Sequence, residues 1–160
     1  PYTISWDTSY SSDLIAMLEP ESLKAAILTD FEQVQLKRTY VGWNGAHWDI
    51  LYIQEPFALQ IMIEAYIRHT GDYSIFDEKA AGVTVWEWMQ RWVDELQDNY
   101  TKEIGLIDVG YNTEKIIEIR TDGYNHAVPI TNTLTIDLLY TMSDWAKKRN
   151  EKNIQKTFLN

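Results

Sequence analysis

The chain has no cysteine, which excludes disulfides, thiolate nucleophiles and zinc–thiolate centres while leaving its compartment, cytoplasmic or secreted, open. Basic residues are scarce: 14 Lys and Arg stand against 24 Asp and Glu, a net charge of −10. No basic stripe remains to meet a phosphate backbone, so nucleic acid is not an expected partner, and an anionic membrane surface is disfavoured too. The three histidines, His47, His69 and His126, have no ligand spacing. Asp108, Asn112 and Glu114 do not form a recognised calcium loop, so neither a metal nor another cofactor is expected. The nucleophile-elbow, phosphate-loop and dinucleotide glycine motifs are all missing. No apolar run approaches the roughly 18 residues of a membrane span. No signal peptide is visible in the sequence, which opens at Pro1-Tyr2 without a methionine, and the chain is expected to be soluble and trimmed. Low-complexity stretches and Pro/Gly-rich linkers are lacking as well, which makes residues 1–160 one expected domain.

Aromatics, by contrast, are abundant, with seven Trp and ten Tyr. Four of the tryptophans, Trp86, Trp88, Trp92 and Trp145, fall at helical spacing and read as core. Trp6, Trp43 and Trp48 fall outside any period, and such amphipathic rings serve equally to pack a loop or to stack on a sugar.

Periodicity predicts several helices. Asp13 to Leu18 is a turn or two ended by Pro20. Pro20 then opens a helix through about Lys37, with Leu23, Ala26, Ile27, Phe31 and Val34 on one side. Residues 38–52 break the period. The next helix starts near Pro56, carries Leu59, Met62, Ile63, Tyr66 and Ile67, and stops at Thr70-Gly71-Asp72, where Gly71 suits a left-handed cap. A third runs from about Lys79 to Leu96, Ile75-Phe76 beginning it one turn earlier. Its stripe is Val85, Trp86, Met89, Trp92, Val93 and Leu96. Leu106 to Val109 and Ile116 to Ile119 are β-like runs that suit a small hairpin or an irregular loop. Helix returns from about Asn132 to Lys148, with Leu134, Leu138, Leu139, Met142, Trp145 and Ala146 inward, and Glu151 to Leu159 starts another. The fold class is therefore all-α, a repeat of about three helical hairpins with a small β-like insertion near 104–120.

Three stretches resemble a known group. Ser5-Trp6-Asp7-Thr8-Ser9-Tyr10 with Leu18-Glu19-Pro20-Glu21 is similar to the W-D-[ST]-x-[FY] … L-x-P-E entry of the six-hairpin (α/α) toroid glycosidases, the group of mannosylglycerate hydrolases, trehalases and processing α-glucosidases. Gln54-Glu55-Pro56 leading to Tyr66-Ile67-Arg68-His69-Thr70-Gly71-Asp72 resembles their Q-P-P … Y-x-x-T-G-D, with Glu55 in place of a proline. Gly105-Leu106, Ile116-Ile117-Glu118, Tyr124, His126, Val128 and Asn132 resemble the G-L … L-L-E … Y-x-H-x-V … N of bacterial members. The resemblance implies that the hairpins are part of an (α/α)6 toroid, about half of it. It further implies hydrolysis of a glycosidic bond with inversion, the remaining half of the toroid as partner, and a base on a later helix.

Glycoside hydrolysis needs two carboxylates, one protonated and one ionised. Acids in the irregular segments qualify: Asp7, Asp49, Glu118 and Asp122. Glu118, among Ile116, Ile117 and Ile119, is the first choice for proton donor, because apolar surroundings raise a carboxyl pKa. Asp49 and Asp122 are the other catalytic candidates. Trp6, Asp7, Trp43, Asn44, Trp48, Tyr124, His126 and Asn132 are the candidates for holding a carbohydrate substrate. Asp7 reads equally as a helix N-cap, His126 alone reads more readily as structural, and Glu118 reads equally as a water-facing strand residue. A non-catalytic helical module that binds carbohydrate or protein is the alternative. If the segments are stacked hairpins, these residues meet around one hollow at the same end of the helices.

Overall fold

In a computed structural model the described residues are 5–37, 40–41, 47–48, 55–98, 100–101, 103–108, 126–151 and 154. They are mostly helical, an all-α fold. The helices are α1 (Ser5–Leu18), α2 (Pro20–Lys37), α3 (Glu55–Thr70), α4 (Val85–Asp98) and α5 (Pro129–Lys148). Three antiparallel pairs of two-residue strands lie in the connections: β1 (Tyr40–Val41) with β2 (His47–Trp48), β3 (Lys79–Ala80) with β4 (Val83–Thr84), and β5 (Tyr100–Thr101) with β6 (Leu106–Ile107).

Helix α1 begins eight residues before Asp13, the start that apolar periodicity indicates, and it reverses the expected faces. Its buried residues are Ser5, Ser9, Ser12 and Ala16, while Leu14, Met17 and Leu18 are exposed. Small side chains let α1 lie close against α3. The hydroxyls lose little on burial because Ser9 donates to the Trp6 carbonyl at 2.7 Å and Ser12 to the Ser9 carbonyl at 2.7 Å. The chain then reverses at Glu19, whose N–H reaches the Ile15 carbonyl at 2.7 Å. Pro20 opens α2, where its missing N–H costs nothing.

The core lies between α2, α3, α4 and α5. Leu23, Ile27 and Phe31 of α2 are fully buried, as are Phe57, Leu59, Met62 and Ile63 of α3. Phe31 stacks on Trp88 and Trp92 of α4, with ring centroids 6.1 and 5.2 Å away. Phe76 meets Trp86 at 5.5 Å and Trp145 of α5 at 4.9 Å. All four periodic tryptophans are thus core residues.

Gly71 ends α3 in the left-handed region at φ 69°, its N–H bonded to the Ile67 carbonyl at 2.8 Å. A 3₁₀ turn, Tyr73–Asp77, follows; Asp72 caps it by accepting from the Ser74 N–H at 2.8 Å and the Tyr66 hydroxyl at 2.9 Å.

The helix expected from Lys79 starts instead at Val85. Ala81 and Gly82 both take positive φ (52° and 82°) in a tight turn between β3 and β4. A capping box then fixes the start: the Thr84 hydroxyl accepts the Glu87 N–H at 3.2 Å, and the Glu87 carboxylate accepts the Thr84 N–H at 3.0 Å. Further along, β6 pairs back with Tyr100–Thr101 through the turn at 103–105. The Ile116–Ile119 run lies outside the described residues.

Helix directions follow from the cross-links. Ser5 bonds Glu55, and Asp13 bonds Arg68, so α1 and α3 run parallel. Gln60 bonds Asp137 at 2.8 Å and Glu64 bonds Thr141 at 2.7 Å, so α3 and α5 do too. Helix α2 starts beside the end of α3, where Lys24 pairs with Glu78, and runs back along it with α4. The array is up-and-down, and the N-termini of α1, α3 and α5 share one end.

Candidate functional site

That shared end is where most of the sequence-predicted residues that the structure describes are found. Trp6 and Asp7 occupy the first turn of α1, inside the helix and not ahead of it. Asp7 is exposed; Trp6 is half-buried and set edge-on to Tyr10, with ring centroids 5.6 Å apart. Their footing is the hydrogen bond from the buried Ser5 hydroxyl to the Glu55 carboxyl at the start of α3. Burial is the largest influence on Glu55 and pushes its pKa up, with the Ser5 bond pulling the other way. Its place in the first turn of α3, where the helix dipole favours a negative charge, also opposes the rise.

On the far side, β6 is spliced to the start of α5 by Asn132. Its side-chain oxygen accepts the Ile107 N–H at 2.8 Å, and its amide nitrogen donates to the Ile107 and Val128 carbonyls, each at 3.1 Å. The amide thereby acts as a piece of backbone, and these three bonds are spent on architecture. Asp108 follows directly and faces His126: both carboxylate oxygens lie 3.2 Å from the ring Nδ1. His126 holds a left-handed backbone, φ 58°, in a turn that its own carbonyl closes by accepting the Val128 N–H at 3.1 Å.

The catalytic candidates Glu118, Asp49 and Asp122 lie outside the described residues, as do Trp43, Asn44 and Tyr124. For Trp48 the structure gives the backbone, paired with Tyr40. Two residues of this end escape periodicity. Glu55 shows only as an acid before a helix-opening proline, and Asp108 only as a polar residue closing a short apolar run.

A cavity of about 560 Å³ lies elsewhere, between the later halves of α3 and α5, lined by Glu64, Thr141, Asp144, Trp145 and Lys148 among others. Its lining carries two acids, Glu64 and Asp144, and two lysines, Lys147 and Lys148, and includes none of the mouth residues. Among the described residues no group of three or more His, Asp or Glu is placed to hold a metal ion, and no helix is long and apolar enough to cross a membrane. Comparison with family models, with curated proteins and with solved structures finds no match for this chain.

Proposed function

We propose that the chain is a carbohydrate-active helical array that hydrolyses a glycosidic bond, with the substrate at the mouth formed by the N-termini of α1, α3 and α5. The observation that carries this reading is the parallel course of those three helices. It gathers Trp6 and Asp7, Glu55, and the Asp108–His126 pair at one end, joining aromatic surface, carboxylates and an imidazole in the combination a sugar site needs. Glu118 is the proton donor in this reading, and Asp49 and Asp122 are its alternates. Glu55 joins them, because burial favours the protonated form that a general acid must have. The remaining half of a toroid is the structural partner. Supporting that partner, Leu14, Met17 and Leu18 of α1 and Ile136 and Tyr140 of α5 are exposed on the two outermost helices of the parallel set.

Kinetics with aryl glycosides and disaccharides test the proposal. In the protein that contains the full toroid, Glu118→Gln lowers kcat by about 10²–10⁴ with little change in KM, since the amide keeps its shape but delivers no proton. Trp48→Ala raises KM instead, by about 1–2 kcal/mol. If Glu55→Gln abolishes kcat while Glu118→Gln does not, the donor is Glu55. Full activity of the intact protein with Glu118→Gln, Glu55→Gln, Asp49→Asn and Asp122→Asn alike would put the donor outside this chain, and no turnover by the intact protein at all favours the second reading, a non-catalytic carbohydrate- or protein-binding module.

A further inference from the structure

The parallel set of α1, α3 and α5 has two outer edges, and both carry exposed apolar side chains. On α1, Tyr10, Leu14, Met17 and Leu18 recur at helical spacing on one stripe, each more than half exposed. The stripe faces away from α3, because the buried Ser5, Ser9, Ser12 and Ala16 occupy the opposite side of the helix. On α5, Ile136 and Tyr140 stand one turn apart and are also more than half exposed. Lys147, at the rim of the cavity shared with α3, continues their stripe two turns on. Asp137 is turned toward α3 instead, where it accepts from Gln60. The two edges also differ in charge. Helix α1 has Asp7 and Asp13 but no basic residue, and the exposed Glu19 follows it.

Hydrogen bonds within the chain set the heights of these groups. Ser5 is level with Glu55, and Gln60, five residues further along α3, is level with Asp137. Since α-helices rise equally per residue, Tyr10 stands at the height of Ile136 and Asp137, Leu14 at that of Tyr140 and Thr141, and Glu19 near that of Lys147. We propose that α1 of one copy packs side by side with α5 of a second copy of this chain, and α5 of the first with α1 of the second, about a twofold axis parallel to the helices. Tyr10 then meets Ile136, Leu14 meets Tyr140, and Glu19 pairs with Lys147, each contact occurring twice in the dimer. The repeated contact closes on itself and covers both apolar edges. Pairing α1 with α1 would set an acidic helix against its own like charges, which electrostatic complementarity disfavours. The second copy walls the outer side of each mouth. Its identification with the missing half of the ring rests on the toroid reading above; the contact itself rests on helix directions, apolar stripes and charge.

Sedimentation equilibrium of the full chain up to about 100 μM tests the proposal, at about 0.15 M salt so that repulsion between two acidic chains is screened. The expected species is a reversible dimer of twice 18.8 kDa. Leu14→Gln and Tyr140→Gln, both at exposed sites, should each weaken it about 10- to 100-fold, because each removes an apolar contact made twice. Glu19→Lys and Lys147→Glu should each weaken it about 3- to 10-fold, and the double variant, whose net charge is unchanged, should recover. Failure of the double variant to recover overturns the pairing. The absence of native cysteine makes cross-linking specific: a mixture of Leu14→Cys and Tyr140→Cys chains should couple through a short bismaleimide faster than either variant with itself. Faster coupling of Leu14→Cys with itself overturns the α1–α5 contact, and species larger than a dimer overturn the closed twofold. A chain that stays monomeric throughout overturns the second copy as partner, whereas the carbohydrate reading stands or falls separately, on turnover of glycosides.

Discussion

Glu55 and Tyr66 share one piece of physics: each is an acid for which burial favours the neutral form. A raised pKa in the folded state gives stability that is whole below the unfolded value and is lost as pH rises through the folded one. For Glu55 that loss begins above 4.5. Glu55→Gln, which keeps the shape and removes the charge, should therefore stabilise the protein at neutral pH, and the gain should shrink as pH falls toward 4.5. Urea unfolding of both proteins across that range checks it. Ser5→Ala does the opposite, because it strips the buried carboxyl of its hydroxyl donor, at a cost of about 1–3 kcal/mol. Tyr66 is pushed up to about 12 by burial and by its bond to the Asp72 carboxylate. Its contribution is whole below 10.0 and drains as pH climbs from there toward about 12. Tyr66→Phe should be less stable at neutral pH by about 1 kcal/mol and should lose this alkaline component, read from denaturation at paired pH values.

Among the elements, the junction of β6 with α5 depends on one side chain. Asn132→Ala removes three hydrogen bonds and leaves the Ile107 N–H unpaired beside a side chain that is 6% exposed. The expected cost is about 2–3 kcal/mol. Hydrogen exchange should localise the damage, with Ile107 and the first turn of α5 losing protection while α3 keeps its own. The opening of α4 illustrates how a local code overrides periodicity. The apolar stripe extends backward past Lys79, yet Ala81-Gly82 and the Thr84–Glu87 capping box stop the helix at Val85. Thr-Val-Trp-Glu was readable as a start signal. The left-handed Ala81 was not, because alanine gives no hint of it.

At the scale of the whole molecule, the array ends on two helices with unequal faces. Helix α1 is turned so that serines meet α3 while Leu14 and Met17 are 56% and 60% exposed. Replacing Leu14 and Met17 with glutamine should change the stability of the chain by no more than about 0.5 kcal/mol each, since neither is buried, and should reduce any self-association in sedimentation velocity. A loss beyond about 2 kcal/mol per site would mean these side chains pack within the chain as a core leucine does. The same substitutions in a protein containing the full toroid should cost that larger amount, because there the proposed neighbouring helices would cover them.

Sequence alone determined the all-α class, because helical spacing of apolar residues reflects a local geometry of 3.6 residues per turn. It also determined the cores of α2, α3, α4 and α5, the four buried tryptophans and the glycine stop after α3. It missed the first part of α1, which takes in Trp6 and Asp7. Tertiary structure decided which face of α1 is inward, since burial of serine becomes cheap only when its hydroxyls bond within their own helix and a neighbour comes close. It also decided that Asn132 is a splint and that Asp108 and His126 are partners 18 residues apart. Pairings of that kind depend on where chain segments meet in space, and no period in the sequence encodes the meeting.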